Sequence, residues 1–234
     1  MTQTTAEPIV QVTDLVKNYR QGDLEVPALR GITLSVEPGE FTAVSGPSGS
    51  GKSTILNLIG ALDHPTSGTV HLEGNELGSL SRSTLSRLRR DRIGFVFQAY
   101  NLIPVLTAYE NAEIVLALQG VDAEKRRDRV LDLLGEVGLE GLEGRRPDQL
   151  SGGQQQRVAI ARAIAADPAI VLADEPTANV DSETADRLLA IMEKLNRERG
   201  VTFLFSTHDP RVMARARRNV RLVDGRVVED QASD

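Results

Sequence analysis

The sequence predicts an α/β fold with a mixed sheet, an antiparallel β subdomain and an inserted α-helical lobe. The first observation is a set of apolar runs without polar alternation, which is typical of strands buried on both faces of a sheet. The second is that amphipathic helical patterns lie between these runs, as crossover connections do in α/β domains. The four runs are residues 41–45, 93–97, 170–173 and 201–205.

Shorter segments rich in β-branched residues predict the antiparallel subdomain. They cover residues 9–12, 32–36 and 69–72, and glycine or proline residues bound them. Near the carboxyl end, Asp224-Gly225 separates two further β-rich segments and is a strong signal for a two-residue hairpin turn. We therefore expect antiparallel strands near both ends of the chain.

Helical patterns divide into a core helix and a separate lobe. From residue 183 to residue 199 apolar side chains recur every three or four positions, with Asp181 as the N-cap and Gly200 just past the end. This pattern predicts one amphipathic helix of the α/β core.

The lobe is predicted by three helical patterns that follow one another without a strand signal. They cover residues 109–119, 124–137 and 154–166. We expect a helical lobe at about residues 98–165, inserted into a single domain that spans residues 8–230.

Composition narrows the functional class. The chain has 27 Lys and Arg against 33 Asp and Glu, a net charge of −6 and only eight Phe and Tyr, which argues against a general nucleic-acid binder. It has no cysteine, which excludes disulfides, thiolate zinc sites and thiol catalysis. The first ten residues, MTQTTAEPIV, lack the basic and apolar regions of a signal peptide. We expect a cytoplasmic protein whose membrane role comes through a partner.

Residues 46–53 fit the eight-position P-loop pattern between an apolar strand and a helical run. In such a loop the backbone N–H groups converge on phosphate oxygens, and the following helix adds its dipole. We expect Lys52 on an exposed loop, where its ammonium meets the β- and γ-phosphates, and Ser53 as a ligand of Mg²⁺. The loop consists of Gly46, Pro47, Ser48, Gly49, Ser50, Gly51, Lys52 and Ser53.

A buried strand ends in two adjacent carboxylates, Asp174 and Glu175. In a P-loop protein the strand beside the loop ends in an acid that holds Mg²⁺, which predicts that role for Asp174. Glu175 would then face the γ-phosphate and take a proton from the attacking water. The alternative is that the two acids only cap neighbouring elements.

The segment Leu150-Ser151-Gly152-Gly153-Gln154 opens a helix and forms a second anion site, about a hundred residues after the P-loop. A simple kinase or GTPase has no use for such a site. The run LSGGQQQRVAIARAI resembles the signature motif of ATP-binding cassette (ABC) ATPases. The resemblance implies a P-loop NTPase fold with the ABC ATPase core.

The resemblance also implies roles for single residues. Gln98 matches the Q-loop glutamine, which contacts Mg²⁺ and the water and senses the membrane partner. His208 matches the switch histidine that contacts the γ-phosphate, and Tyr19 matches the aromatic residue that stacks on adenine. Residues 178–181, ANVD, correspond to the D-loop, which crosses to the other subunit.

ATP and Mg²⁺ are the implied cofactors, and ATP hydrolysis is the implied activity. Glu175 and His208 would be catalytic. The implied metal ligands are Ser53, Gln98 and Asp174. The implied nucleotide contacts are Tyr19, Gly46, Pro47, Ser48, Gly49, Ser50, Gly51, Lys52, Ser53, Thr54, Gln98, Ser151, Gly153 and Asp181.

A finer likeness lies in the phrases NLIPVLTAYENA, ADEPTANVD and ALDHPTSG, which resemble the ATPase subunits of the lipoprotein-releasing and macrolide-exporting group. One P-loop and one signature motif in the chain imply a homodimer on ATP binding, in which Ser151 and Gly153 reach the nucleotide of the opposite subunit. The resemblance further implies an integral-membrane permease as partner and a location on the inner face of the cell membrane. We expect the permease to bind in a groove between the P-loop core and the helical lobe, lined by residues 98–110, because an apolar cluster lies there. The cluster consists of Tyr100, Leu102, Ile103, Val105 and Leu106. No nucleic-acid partner is expected.

Other interpretations stay open at this point. One is a soluble ABC-type ATPase that acts on nucleic acid or ribosomes, although the chain lacks the long coiled coil or the second cassette of such members. Another is a complex in which the ATPase drives a permease-like protein mechanically, for instance on cell-wall enzymes. For residues 100–106, the alternative to permease binding is that these apolar residues only pack the lobe onto the core.

Overall fold

The computed structural model describes residues 7–22 and 24–232 and confirms the α/β fold class. Residues 1–6, the larger part of the segment compared with a signal peptide, lie outside the described residues. The chain forms two units. The first unit contains the residues up to Ser86 together with those from Thr202 onward, and the second unit is Arg87–Val201.

Strands and helices follow one another along the chain. The strands are β1 Val10–Gln21, β2 Leu24–Val36, β3 Phe41–Ser45, β4 Ser67–Leu72, β5 Asn75–Glu76, β6 Ile93–Phe97, β7 Ile170–Asp174, β8 Phe203–Thr207, β9 Arg218–Val223 and β10 Arg226–Ala232. The helices are α1 Lys52–Ile59, α2 Arg82–Arg92, α3 Ala108–Leu118, α4 Ala123–Glu136, α5 Gly152–Ile164, α6 Ser182–Arg199 and α7 Pro210–Arg215.

The first unit contains an antiparallel sheet with the strand order β2-β1-β4-β5. β1 pairs with β2 and β4 and buries Val10, Val12 and Leu15. The sheet confirms the predicted antiparallel subdomain, but β1 and β2 are longer than the segments 9–12 and 32–36. The added part of β2 is mostly exposed, so hydrophobic periodicity does not reveal it.

Four further strands of the first unit lie in the order β10-β9-β3-β8. β3 runs parallel to both β8 and β9, and all of its residues are buried. Both edges of β3 are therefore paired with other strands of the first unit. Around β3 the rings of Phe41, Phe203 and Phe205 pack with centroids 4.6 to 5.6 Å apart.

β8 begins at Phe203, two residues later than the apolar run predicts. The two residues before it make other bonds. The Val201 carbonyl accepts from the Asn196 side chain at 2.7 Å, and the Thr202 hydroxyl accepts from Gly39 N at 3.0 Å. Val201 and Thr202 therefore form the connection that leads into the strand.

The second unit contains the parallel pair β6 and β7 and the helices α3, α4, α5 and α6. α5 approaches β6 so closely that a Cβ on Gly94 would lie 2.4 Å from the Ala163 carbonyl oxygen. The three lobe helices confirm the predicted patterns to within two residues at each end. α6 has Asp181 as its N-cap and ends at Gly200, whose φ is 68°, as the sequence predicts.

The hydrophobic pattern predicts neither α2 nor α7. α2 buries only Leu85, and α7 buries only Val212, so neither helix has the apolar stripe by which an amphipathic helix is recognised. No helix in the described part of the chain combines the length and the apolar character that a membrane span requires.

Arg218 connects β9 to β10 and to the end of β2. Its guanidinium donates to both carboxylate oxygens of Asp230 at 2.8 Å and to the Ser35 carbonyl at 2.7 Å, and it lies 3.3 Å from Glu40. The hydrogen bonds from Arg218 hold the pKa of the Asp230 carboxyl below its ordinary value. The charge of Asp230 therefore stabilises this part of the first unit.

We expect Asp230→Asn to lower the free energy of unfolding at about pH 7 by about 0.5–1 kcal/mol, the upper range for a partly exposed ion pair. A carboxylate with a lowered folded-state pKa stabilises the fold above its unfolded pKa of about 4, and this contribution is lost as the pH falls through the folded-state pKa. Urea unfolding of both chains at about pH 7 and about pH 3 tests this. A difference between the chains that is equally large in acid would contradict the assignment to charge.

Candidate functional site

The P-loop leaves the end of β3 and enters α1, and two of its glycines have no room for a side chain. Gly46 has a φ of 147°, and a Cβ there would lie 2.1 Å from the Leu222 carbonyl oxygen. Gly51 has a φ of 103°, and its Cβ would lie 2.7 Å from the Ala28 carbonyl oxygen. The loop is therefore held between β9 and β2, and a larger residue at either position would displace backbone.

The turn between β9 and β10 supports the P-loop. Asp224 and Gly225 have φ values of 47° and 72°, which confirms the predicted two-residue turn. Gly225 N donates to the Ser50 carbonyl at 3.1 Å, and the Gly225 carbonyl accepts from Arg30 N at 2.8 Å. The hairpin is thus part of the framework of the loop, a role that has no signal in the sequence.

Lys52 is buried, which corrects the prediction of an exposed lysine. It occupies the first position of α1 and is 7% exposed. Its ammonium donates to the carbonyl oxygens of Gly46 at 2.9 Å and Pro47 at 3.0 Å. The loop itself therefore holds the positive charge in place, and little side-chain entropy is left to lose when a phosphate binds.

Tyr19 lies on β1 with 40% of its surface exposed, and its orientation is fixed by its neighbours. Its hydroxyl donates to Asp63 at 3.0 Å, and the Thr54 side chain of α1 is bonded to the same hydroxyl. The Lys17 ammonium lies 4.8 Å from the ring centroid and donates to Asp63 at 2.8 Å. Burial and the Asp63 carboxylate raise the pKa of the Tyr19 hydroxyl, which stays a donor. The Lys17 ammonium thus covers one face of the Tyr19 ring, which lies beside α1.

His208 follows β8 and lines a cleft of about 460 Å³ in the first unit. Gly46 and Pro47 of the P-loop line the same cleft. Arg221 of β9 and Glu229 of β10 add charged groups to its lining. The structure therefore places His208 in the same cleft as the beginning of the P-loop, and its contact with the γ-phosphate stays a prediction.

In the second unit, β7 ends at Asp174 and the chain turns at Glu175. Glu175 has a φ of 46°, a left-handed conformation that costs a non-glycine residue about 1–3 kcal/mol. The turn is held by a hydrogen bond from the Gln156 side chain to the Pro176 carbonyl, 2.7 Å, and by one from Ala178 N to the Glu175 carbonyl, 3.2 Å. Strain of this kind is kept where the surroundings fix a residue for function.

The signature motif forms the N-terminus of α5 in the same unit. The Ser151 hydroxyl accepts from Gln154 N at 3.3 Å, and the Gln154 side chain accepts from Ser151 N at 2.8 Å, which makes a capping box. A Cβ on Gly153 would lie 2.3 Å from the Thr184 methyl group, so α6 packs directly on this turn. The motif is an ordered helix N-terminus of the kind that binds anions.

Gln98 follows β6 and is bonded to the D-loop. The Asn179 side chain donates to the Gln98 backbone carbonyl at 2.9 Å, and the Gln98 side chain donates to Asn179 Oδ1 at 3.5 Å. Asp181 caps α6, since its carboxylate accepts from Thr184 N at 2.9 Å and from the Thr184 hydroxyl at 2.7 Å. These bonds lower the pKa of the Asp181 carboxyl. Within one chain the Asp181 carboxylate therefore caps α6, and its contact with nucleotide stays a prediction.

The predicted site residues fall into two groups, one in each unit. The first unit contains Tyr19, residues 46–54 and His208, and the second contains Gln98, Ser151, Gly153, Asp174, Glu175 and Asp181. Bonds from Lys17, Asp63 and Asn179 hold some of these residues in place. The sequence gives no signal for these bonds, because each one joins parts of the chain that are remote in the sequence.

The described residues contain no cluster of three or more His, Asp or Glu side chains that would hold a metal ion. The predicted Mg²⁺ ligands, Ser53, Gln98 and Asp174, offer a hydroxyl, an amide and a carboxylate oxygen. Such hard oxygen donors fit Mg²⁺, which usually binds to one or two protein groups together with substrate phosphates and water. The residue types fit the ion, and a dedicated all-protein cage is not required.

Comparisons with known proteins identify relatives of this chain. The family model of ABC transporters matches residues 29–178. The chain is 49% identical over 231 residues to the lipoprotein-releasing system ATP-binding protein LolD of Anaeromyxobacter dehalogenans, covering 98% of this chain and 97% of that protein. It is 45% identical over 227 residues to the macrolide export ATP-binding/permease protein MacB of Marinobacter nauticus, covering 97% of this chain but only 35% of that protein.

Solved structures show the same likeness at the level of the fold. A dimeric ATP-binding cassette in a post-hydrolysis state, bound to ADP and phosphate, matches with a TM-score of 0.88 and 44% identity. The match covers 95% of this chain and 98% of that chain. A component of a transporter complex from Clostridium perfringens matches with a TM-score of 0.86 and 29% identity, covering 96% of this chain and 88% of that one.

Proposed function

Because this chain belongs to the ABC transporter family, we propose that it is the ATP-hydrolysing subunit of a transport complex with a permease of the lipoprotein-releasing or macrolide-exporting type. The observation that supports this most directly is that one chain contains both a P-loop, in the first unit, and a capped helix N-terminus that carries the signature sequence, in the second. The likeness to LolD spans nearly all of both proteins. The name of MacB joins an ATPase and a permease, and this chain spans about a third of that protein.

Nucleotide binding would be the work of the first unit. The phosphates lie on the N–H groups of residues 46–54 and on the N-terminus of α1. Lys52 supplies its charge from within the loop, since its ammonium already lies 2.9 Å from the Gly46 carbonyl. Tyr19 stacks on adenine with the ring face that Lys17 leaves uncovered.

Hydrolysis would require a general base and a hydrogen-bond donor to the γ-phosphate. Glu175 accepts a proton from water as the water oxygen bonds to the γ-phosphorus and the bond to the ADP oxygen breaks. His208 donates a hydrogen bond to the γ-phosphate as its negative charge is redistributed. Ser53, Gln98 and Asp174 would hold Mg²⁺, which neutralises charge on the β- and γ-phosphates when it is bound.

A second copy of the chain would complete each site. Ser151 and Gly153 lie at the N-terminus of α5, where backbone N–H groups favour a phosphate of the partner copy. ATP binding would then close the pair, and hydrolysis would release it, because only ATP provides a γ-phosphate for both copies to contact. The dimeric cassette of 44% identity that holds ADP and phosphate supports this arrangement.

Residues 100–106, here called the exposed segment, would receive the permease. Val105 is 71% exposed and Ile103 is also exposed, although both are apolar. The buried Asn111 side chain holds the backbone, since it accepts from Ile103 N at 2.7 Å and donates to the carbonyls of Ile103 and Leu106 at 3.2 and 3.0 Å. A fixed backbone with outward apolar side chains favours docking over the alternative that the segment only packs the lobe. Through this contact the chain would act at the inner face of the membrane.

We expect Val105→Glu to reduce co-purification of the permease at least roughly tenfold, because a charge at an apolar contact is desolvated without a partner. The basal ATPase rate of the isolated chain should stay within about threefold, since Val105 makes little contact with its own fold. The matched control is Leu118→Glu, which places the same charge on a residue that is 65% exposed in the same unit. Affinity purification of the tagged chain from membranes measures both variants.

Two results would contradict the proposed docking surface. One is a Val105→Glu chain that unfolds or loses its basal ATPase, which would assign the segment to the core. The other is an equal loss of permease with Leu118→Glu. The identity of the protein that co-purifies also separates export from mechanical coupling, because the architecture of the partner determines what is moved.

A further inference from the structure

Tyr100, the second residue after Gln98, has a backbone conformation that is imposed by α5. Tyr100 and Asn101 have φ values of 61° and 50°, a left-handed region that few non-glycine residues adopt. The Arg162 guanidinium donates to the Tyr100 carbonyl at 3.0 Å and to the Asn101 carbonyl at 2.6 Å. The Arg162 side chain of α5 thus fixes the backbone at the start of the exposed segment.

The Tyr100 side chain contacts two other functional segments. Its hydroxyl donates to the Asn179 carbonyl of the D-loop at 3.0 Å. The same oxygen lies 2.7 Å from the position that a Cβ on Gly152 of the signature motif would take. One phenol therefore lies at the junction of the Q-loop, the D-loop and the signature motif, all within the second unit.

We propose that Tyr100 is a positioning residue that holds the D-loop against the signature motif through its hydroxyl. Both segments present groups to a second copy of the chain, so their relative orientation must be fixed before two copies close on ATP. The inference rests on the proposed ATP-driven dimer and adds the residue that aligns its two contact segments. Tyr100 itself touches neither water nor phosphate in this scheme.

The hydroxyl, and not the ring, makes the bond to the D-loop, so Tyr100→Phe isolates the proposed role. We expect this change, made together with Glu175→Gln, to raise the Mg-ATP concentration for half-maximal dimerisation about three- to tenfold, the range for loss of one hydrogen bond. Binding of Mg-ADP to the single chain should stay within about twofold, because the P-loop and Tyr19 are in the first unit. Size-exclusion chromatography and calorimetry measure the two quantities.

Tyr109→Phe is the matched control. It removes a hydroxyl that donates to Glu113 at 3.1 Å in the same unit but contacts neither loop. We expect it to leave dimerisation unchanged. An equal shift for Tyr109→Phe, or a Tyr100→Phe shift below about twofold, would overturn the inference. Failure of the Glu175→Gln chain that keeps Tyr100 to dimerise would overturn the proposed dimer and, with it, the inference. Because this result is measured on the chain that keeps Tyr100, it is distinguishable from a failure of the inference alone.

Gly152→Ala tests the contact from its other side. The added Cβ would lie 2.7 Å from the Tyr100 hydroxyl oxygen but 3.6 Å from the ring carbon that bears it. We therefore expect Gly152→Ala to weaken dimerisation when Tyr100 is present and to add little when Tyr100→Phe is already in place. The same shift in both backgrounds would show that Gly152 acts independently of the hydroxyl and would overturn the inference.

Discussion

Replacement of Glu175 by glutamine should leave ATP binding intact and slow turnover by roughly two to four powers of ten, the range for removal of a positioned general base. Glutamine keeps the size of the side chain but cannot take a proton from water. With hydrolysis blocked, the ATP-bound pair should persist. Phosphate release measures the rate, and size-exclusion chromatography with Mg-ATP should show a dimer.

Glu198→Gln provides the control, since Glu198 is exposed on α6 and its ammonium partner, Lys194, lies at 3.9 Å in a weak surface pair. Its rate should equal that of the unchanged chain. A Glu175→Gln chain with an unchanged rate would move the base elsewhere, with His208 the first residue to examine. A variant that binds ATP but stays monomeric would contradict the two-copy site.

The conformation of Glu175 sharpens this expectation. A φ of 46° gives the side chain a direction that the regular continuation of β7 would not. The strain is retained by bonds to the residues that follow, including the one from Gln156 to Pro176. Glutamine can adopt the same backbone conformation at similar cost, so the variant should lose chemistry without losing geometry.

Local features of the site could be predicted from the sequence because they depend on a few adjacent residues. The P-loop spacing requires only eight positions, and the Asp224-Gly225 turn needs two residues that tolerate positive φ. The N-cap Asp181 is recognised by the helical pattern that follows it. Each of these predictions concerns residues that are within a few positions of one another in the sequence.

Long-range bonds could not be predicted in this way. Tyr100 and Asn179 are 79 residues apart, and Lys17 and Asp63 are 46 apart, so only the folded chain brings them together. The first residue of β8 is a milder case, because Thr202, which the apolar run assigns to the strand, instead accepts a hydrogen bond from Gly39 N. Burial of Lys52 belongs to the same class, since a charged residue is expected at the surface unless its partners are known.

The geometry of Lys52 determines what its removal should do. Its ammonium satisfies two loop carbonyls, those of Gly46 and Pro47. A shortened side chain therefore removes the positive charge that is proposed to bind the phosphates. It also leaves both carbonyls without this donor. Because the loop is held independently by Gly225 N and by the packing around Gly51, we expect its backbone path to survive.

Lys52→Ala should weaken ATP binding by roughly a hundredfold or more, because hydrogen bonds to a charged group contribute about 1.5–3 kcal/mol each. Fluorescent-nucleotide titration measures the affinity. Lys194→Ala removes an exposed ammonium of the second unit and should leave binding unchanged. Thermal unfolding without nucleotide must accompany the titration, since the lysine is buried. A folded Lys52→Ala chain with near-normal affinity would contradict the P-loop assignment, whereas a chain that unfolds would show that the ammonium chiefly stabilises the loop carbonyls.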